Sequence, residues 1–311
     1  MTAGPTASGP IGFASFQELQ TEVYRRRDAG DRETALELLA AAGPSFPDQA
    51  AHVYLARVQL SAELGRIDEA IRVFAEALGA GCRYPLPVLR GETFAALHDI
   101  VEFERLEHIA AMRYDAELAA SRPKLVVRAP STGEPRGTLL VLHGNNSRAD
   151  RTVPYWEHTL ELGWRLALAQ SAEISFTPGM FVWNDGAAAH SQLRRHLRDL
   201  EGRVMACGYS MGALRALELG ASEPDRVAGV VAVGPYFPPS AVQPLAEALR
   251  VPAAIVVGRR DEHGWPGSEE LARRVVAAGR RVHLDVLPGQ GHGYPPDMAA
   301  ALEKALRFLE A

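Results

Sequence analysis

Apolar positions along this chain follow two rhythms. In the first 121 residues they recur at helical spacing, and the spacing itself repeats. AGDRETALELLAAA from Ala29 and LGRIDEAIRVFAEA from Leu64 align at an offset of 35 residues, pairing Gly30 with Gly65, Ala35 with Ala70, Leu36 with Ile71, Leu38 with Val73 and Leu39 with Phe74. A period of that length predicts a helical solenoid, whose units bury their apolar faces only by stacking on a neighbour. Between the copies, AAHVYLARVQLSAEL puts Val53, Leu55, Ala56, Val58 and Leu60 on a buried helix, so each glycine falls in the turn between paired helices. The stretch 89–109 departs from the repeat but keeps Phe94, Leu97, Phe103 and Leu106 on a helical rhythm, as a cap for the stack would.

The pattern stops at Ser121-Arg-Pro-Lys124, where Pro123 breaks it, and this sets a boundary between residues 1–121 and 122–311. Beyond it come short apolar runs: LVVRAP (125–130), GTLLVLHG (137–144), WRLALAQS (164–171), RVMACG (203–208), AGVVAVG (228–234), PAAIVVG (252–258) and VHLDVLP (282–288). Amphipathic helices are expected between them: one carrying Trp156, Leu160 and Leu162, then others over 186–200, 211–220, 240–250, 268–278 and 297–310. Apolar strands alternating with helices predict an α/β domain, a mostly parallel sheet with helices on both faces. Such sheets carry their chemistry beyond the carboxyl ends of the strands.

The first half resembles tetratricopeptide repeats, on its helix-turn-helix length, the Leu-Gly-x-x-Asp-Glu-Ala turn at 64–70 and the Ala70/Phe74 spacing. The resemblance covers about residues 16–80. Two units and a cap are fewer than the usual three, so the array is expected to lean on the second domain, either as a lid over its mouth or as a module for a protein partner.

Composition narrows the function classes. The 311 residues are 47% hydrophobic and 23% charged, with no apolar run long enough to span a membrane. MTAGPTASGPIGF lacks the basic and apolar regions of a secretion signal, and Cys82 and Cys207 make no disulfide framework, so a cytoplasmic location is expected. Cys207, in an apolar run, reads as a small buried hydrophobe. Residues 1–121 carry net charge −7 and residues 122–311 +2, and neither is a nucleic-acid surface. Arg194-Arg-His-Leu-Arg198 reads as a solvated helix face.

Gly208-Tyr-Ser-Met-Gly212 falls between a strand and a helix, where a nucleophile on a tight turn needs it. A serine hydroxyl requires a base, and the base an orienting acid. His292 follows one later strand in the loop GQGHGYPP. Asp261 follows another and is the first acid after it, with Glu262 and Asp285 as competitors; His263 and His283 are weaker candidates for the base. Oxyanion donors are expected from the Met211 N–H at the helix start and the Asn145 N–H in LLVLHGNN. His143 is expected to pack or hydrogen-bond within its own loop. No H-E-x-x-H or Cys/His cluster is present in the sequence, so metal catalysis is not expected, and no organic cofactor is implied.

Four motifs at four strand ends, in the order Ser…Asp…His, resemble the α/β-hydrolases, and within them the small carboxylesterase, dienelactone-hydrolase and acyl-thioesterase group. The resemblance covers about 135–311 and implies a nucleophile Ser210, a general base His292, an orienting Asp261 and oxyanion amides at Asn145 and Met211. The sheet departs from the family in being short at its start. The loop 176–190 is expected at the rim, with Met180, Phe181 and Trp183 as an apolar wall; Tyr209, Tyr236, Phe237, Trp265 and Tyr294 flank other strand ends. Such walls suit an uncharged acyl or aryl group. The implied reaction is hydrolysis of a small-molecule ester or thioester. The same residues would serve amide or peptide hydrolysis, or acyl transfer. An adaptor built on the repeats, with an inert hydrolase domain, is the reading from another class.

Overall fold

A computed structural model describes residues 12, 13, 15–238 and 240–311. Residues 1–11, most of the stretch read against a secretion signal, lie outside the described residues. The chain divides into two compact units. The first comprises residues up to Ala120 together with Ser175–Met180; the second comprises Ser121–Ile174 and Phe181–Ala311.

The first unit opens with two helical pairs, α1 (Phe16–Asp28) with α2 (Arg32–Ala42) and α3 (Ala50–Glu63) with α4 (Ile67–Gly79). Ser15 and Asp31 accept backbone N–H groups at the starts of α1 and α2, satisfying donors that have no intrahelical partner. Gly30 and Gly65 turn the chain with φ of 84° and 73°, a region costly for any residue with a Cβ. The two turns are 35 residues apart. Ala70, Val73, Phe74, Ala77 and Leu78 of α4 form the core face of the second pair. The stretch expected to cap the stack comprises several pieces: α5 (Leu86–Leu89), a 3-10 turn over Glu92–Leu97, then α6 (Val101–Ala120). Phe94, Leu97, Phe103 and Leu106 nonetheless bury in the same cluster as Phe74.

Ser175–Met180 joins this unit from far along the chain. Phe176 lies against His52, Tyr84 and Tyr114, with ring centroids 5.6, 5.6 and 6.1 Å away. The Arg83 N–H donates to the Phe176 carbonyl at 3.1 Å, and the Ala51 N–H donates to the Thr177 hydroxyl at 3.2 Å. Gln49 supplies no side-chain cap at the start of α3, so Thr177 takes a donor there that would otherwise lack one.

The second unit is built on seven strands: β1 (Lys124–Arg128), β2 (Thr138–Leu142), β3 (Arg165–Gln170), β4 (Val204–Tyr209), β5 (Val227–Val233), β6 (Ala253–Gly258) and β7 (Val282–Leu287). Their order is β1-β3-β2-β4-β5-β6-β7. All neighbours are parallel except β1, an antiparallel edge strand on β3. Alternation divides the core. Leu140, Ala206 and Val230 face α9 (Gly186–Arg198), α10 (Met211–Ser222), α11 (Val242–Ala248) and α12 (Trp265–Ala277). Leu139, Cys207 and Val231 face the opposite layer, where α7 (Val153–Trp156), α8 (His158–Glu161) and α13 (Met298–Glu310) lie. The single helix expected around Trp156 is thus two short pieces. Cys82 and Cys207 are both buried free thiols, and burial pushes each thiol up.

Candidate active site

Strand β4 ends in Gly208-Tyr209 and α10 begins at Met211, so Ser210 bears the whole reversal. Its φ is 56° and ψ −122°, a conformation that costs a non-glycine residue about 1–3 kcal/mol and persists only where its surroundings impose it. The imposing contacts are identifiable. The Ser210 N–H donates to Val233 at 3.0 Å, and its carbonyl accepts from Ala213, Leu214 and Tyr236. Both flanking glycines are needed for closeness rather than for φ. A Cβ on Gly208 would collide with the Gly212 carbonyl, and one on Gly212 would come within 2.6 Å of the Leu142 oxygen and also strike the His143 oxygen.

A serine before a helix ordinarily caps it, yet Ser210 makes no such bond. Its Oγ lies 2.9 Å from His292 Nε2, and His292 Nδ1 lies 2.7 Å from Asp261 Oδ2. An ionised carboxylate only accepts, so Nδ1 carries the proton given to Asp261 and Nε2 is free to accept from the serine hydroxyl. Asp261 is 1% exposed. Its other oxygen, Oδ1, accepts the N–H groups of His263 (3.2 Å) and Gly264 (2.9 Å), which aims Oδ2 at the imidazole. Gly258 at the end of β6 makes room for the carbonyls of Gln290 and Gly291, letting the His292 loop pass close by.

The competing candidates lie elsewhere. Glu262 and His263 are exposed, Asp285 pairs with Lys304 at 2.8 Å, and the His283 ring packs near Phe308. Met211 is the first residue of α10, so its N–H has no intrahelical acceptor. Asn145 stands in the loop after β2, and its side chain is engaged at both ends: Oδ1 accepts the Trp183 N–H at 2.8 Å and Nδ2 donates to Asn184 Oδ1 at 2.7 Å. His143 is fully buried beneath that loop. Its Nδ1 bonds the Gly144 carbonyl at 2.8 Å, and its Nε2 meets the Ser171 N–H and Gln170 Nε2 at 3.2 and 3.1 Å. Burial holds its pKa down at about 4.

The aromatic residues divide. Trp183 is a correction: it has no exposed surface, and its indole N–H donates to the His143 carbonyl, so it underpins the loop rather than walling the mouth. Met180, expected beside it, belongs to the helical unit. Tyr209 is sandwiched, 5.2 Å from the His292 ring and 4.3 Å from Tyr294, which in turn stacks on the exposed Tyr155 at 3.7 Å. Burial pushes the phenols of Tyr209 and Tyr294 up, so both stay protonated at neutral pH. Tyr236 is partly exposed, its ring 5.8 Å from His263. Trp265 is covered on one face by the Arg259 guanidinium at 4.1 Å. Gln170, Asn184, Arg215 and Tyr155 were not singled out from sequence, since each matters through a partner far along the chain. Among the described residues no cluster of three metal-ligating side chains occurs, and no helix is long and apolar enough to cross a membrane.

Comparison with known proteins follows the same lines. Residues 176–306 match the model of the dienelactone hydrolase family. No curated protein matches the sequence. Among solved structures, an uncharacterized protein from Bacillus cereus ATCC 10987 is 21% identical over 95% of this chain and 99% of its own, with a TM-score of 0.51. Esterase PE8 is 19% identical over 60% of this chain and 99% of its own, with a TM-score of 0.53. Est1E from Butyrivibrio proteoclasticus is 15% identical over 62% of this chain and 96% of its own, with a TM-score of 0.50. The second unit therefore has the α/β-hydrolase fold, and the chain is similar to the dienelactone hydrolase family over the matched residues 176–306; a helical region precedes the fold.

Proposed function

We propose that this chain is a serine hydrolase that cleaves a small-molecule carboxylic ester or thioester through an acyl-enzyme. The observation that carries the reading is the hydrogen-bonded line from Ser210 through His292 to Asp261, set on a strained turn at a strand end. The family match and the esterases among its structural neighbours support ester chemistry.

In this reading the Ser210 oxygen attacks the carbonyl carbon while His292 Nε2 takes the hydroxyl proton. Asp261 holds the ring in the required tautomer and stabilises the imidazolium. Negative charge collects on the substrate oxygen, facing the Asn145 and Met211 N–H groups and the positive end of α10. The alcohol or thiol leaves with the proton from His292. Water then gives a proton to His292 and attacks the acyl group, and the acid departs as Ser210 regains its hydrogen.

The test is reaction with a fluorophosphonate probe, read by intact mass on wild type and Ser210→Ala. One probe mass on wild type alone supports the proposal. A folded wild type that takes up none, or a Ser210→Ala variant that labels equally, refutes it. A p-nitrophenyl ester and acyl-thioester series then identifies the leaving group.

A further inference from the structure

The two proposed oxyanion donors sit on different elements, Asn145 on the loop after β2 and Met211 on α10. Something must fix the distance between those elements, because a donor serves an oxyanion only when it is held where the charge develops. The segment Trp183–Asn184 lies between them and bonds to both. Toward the loop, the Trp183 N–H and Asn184 Oδ1 engage the two ends of the Asn145 carboxamide, and the Trp183 indole holds the His143 carbonyl at 2.9 Å. Ser147 and Phe181 add a reciprocal backbone pair at 2.9 and 3.3 Å. Toward the helix, Arg215 of α10 donates from Nε to the Trp183 carbonyl at 2.9 Å and from Nη2 to the Asn184 carbonyl at 3.2 Å. Its side chain is 11% exposed and anchored by Glu218 at 2.6 Å. The slot is built for it: a Cβ on Gly186 would approach Arg215 Nη1 to 2.8 Å.

We infer that Asn184 and Arg215 are positioning residues that clamp the oxyanion loop to the nucleophile helix, with the Asn145 carboxamide as the part clamped. The inference rests on the serine-hydrolase reading. It gives the Asn145 side chain a structural duty and leaves its backbone N–H to face substrate. A fork is required at 215, since one planar guanidinium reaches two successive carbonyls and an ammonium cannot reproduce that geometry.

Steady-state kinetics on a p-nitrophenyl ester test it with Asn145→Ala, Asn184→Ala and their double variant. Alanine at 145 keeps the N–H and removes only the clamp. Each single change is expected to lower kcat about ten- to a hundredfold, less than the 100- to 1000-fold of a deleted donor, with KM within about twofold. The double variant is expected to be no slower than Asn145→Ala, because that change already removes the one bond that Asn184→Ala deletes. Arg215→Lys is expected to lower kcat about tenfold. An unchanged kcat in Asn184→Ala, a loss confined to KM, or single losses that multiply in the double overturns the clamp. Hydrogen exchange of residues 143–147 is read in parallel and does not depend on activity. Faster exchange in Asn184→Ala supports the clamp even if wild-type Ser210 fails to label; unchanged exchange overturns it even if Ser210 labels.

Discussion

His143 makes a prediction about acid stability that follows from its hydrogen bonds. The ring is fully buried, and its Nδ1 proton goes to the Gly144 carbonyl. Nε2 therefore carries the lone pair, which accepts from the Ser171 N–H and from Gln170. A second proton at Nε2 would point at two donors, inside a region where a charge has no water to solvate it. Desolvation is the main cause of the low pKa of about 4, against an ordinary 6.5; the bond to Gly144 opposes it only in part. The unfolded chain takes up this proton between those values and the folded chain does not. Stability is thus present in full above about pH 6.5 and is lost as pH falls toward 4. At 1.36 kcal/mol per pH unit the full loss is about 3 kcal/mol, of which about 2 kcal/mol has gone by pH 5.

The perturbation is His143→Gln, whose amide oxygen can still accept from Ser171 while nothing in the side chain titrates. The variant should be less stable than wild type at pH 7.5, having lost the bond to Gly144. The informative quantity is the difference between the two proteins, because His52 and His196, whose pKa values burial also lowers, contribute equally to both. Urea unfolding at pH 7.5, 6 and 5, followed by tryptophan fluorescence, should show the gap narrowing by about 2 kcal/mol at pH 5. Parallel curves for the two proteins would refute the argument, since they would mean that His143 titrates alike in folded and unfolded chains.

Three further outcomes are expected. Asp261→Asn places an amide against His292 Nδ1 and favours the tautomer with its proton on Nε2, so kcat should fall about 10³–10⁴-fold in an esterase assay while folding, checked by circular dichroism, persists. Gly212→Ala drives a Cβ into the Leu142 and His143 carbonyls, and should cost more than about 3 kcal/mol in urea unfolding or leave no soluble protein. Thr177→Val leaves the Ala51 N–H unpaired, and should lower stability by about 1–2 kcal/mol in thermal melts with ester turnover at 25 °C retained.

Much of the fold was legible because each element carries its reason locally. Strands covered on both faces must be nearly all apolar, so the five central runs, β2 to β6, declared themselves, and Gly30 and Gly65 marked helix turns through a conformation that glycine adopts readily. What failed to show depends on distant partners. An apolar run looks the same parallel or antiparallel, so the reversed edge strand β1 was not foreseen. Residues 176–180 read as the start of a rim loop spanning 176–190, because nothing in their own sequence names His52, Tyr84 or Ala51 as neighbours. A cut at residue 121 is for the same reason not a clean excision: it would leave Phe176 and Thr177 without the surfaces they bond and pack against.

The candidate site divides along the same line. Ser210, Asp261 and His292 stood out because each follows a strand, and the strand ends share one edge of a parallel sheet. The choice between Asp261 and Glu262 was harder, since adjacent residues in a turn point apart. The structure buries the aspartate and exposes the glutamate, and the deciding feature is the pair of N–H donors at 263 and 264 that grips one carboxylate oxygen. Gly264 is the trace of that grip in the sequence: a Cβ there would sit 2.6 Å from Asp261 Oδ2. Trp183 carried no comparable trace. An indole after a strand end serves equally as a wall or as a support, and only the position of the His143 carbonyl makes it the second. Glycines at close approaches thus leave a written record of the geometry, whereas polar side chains that act by tying two loops together leave none until both loops are in place.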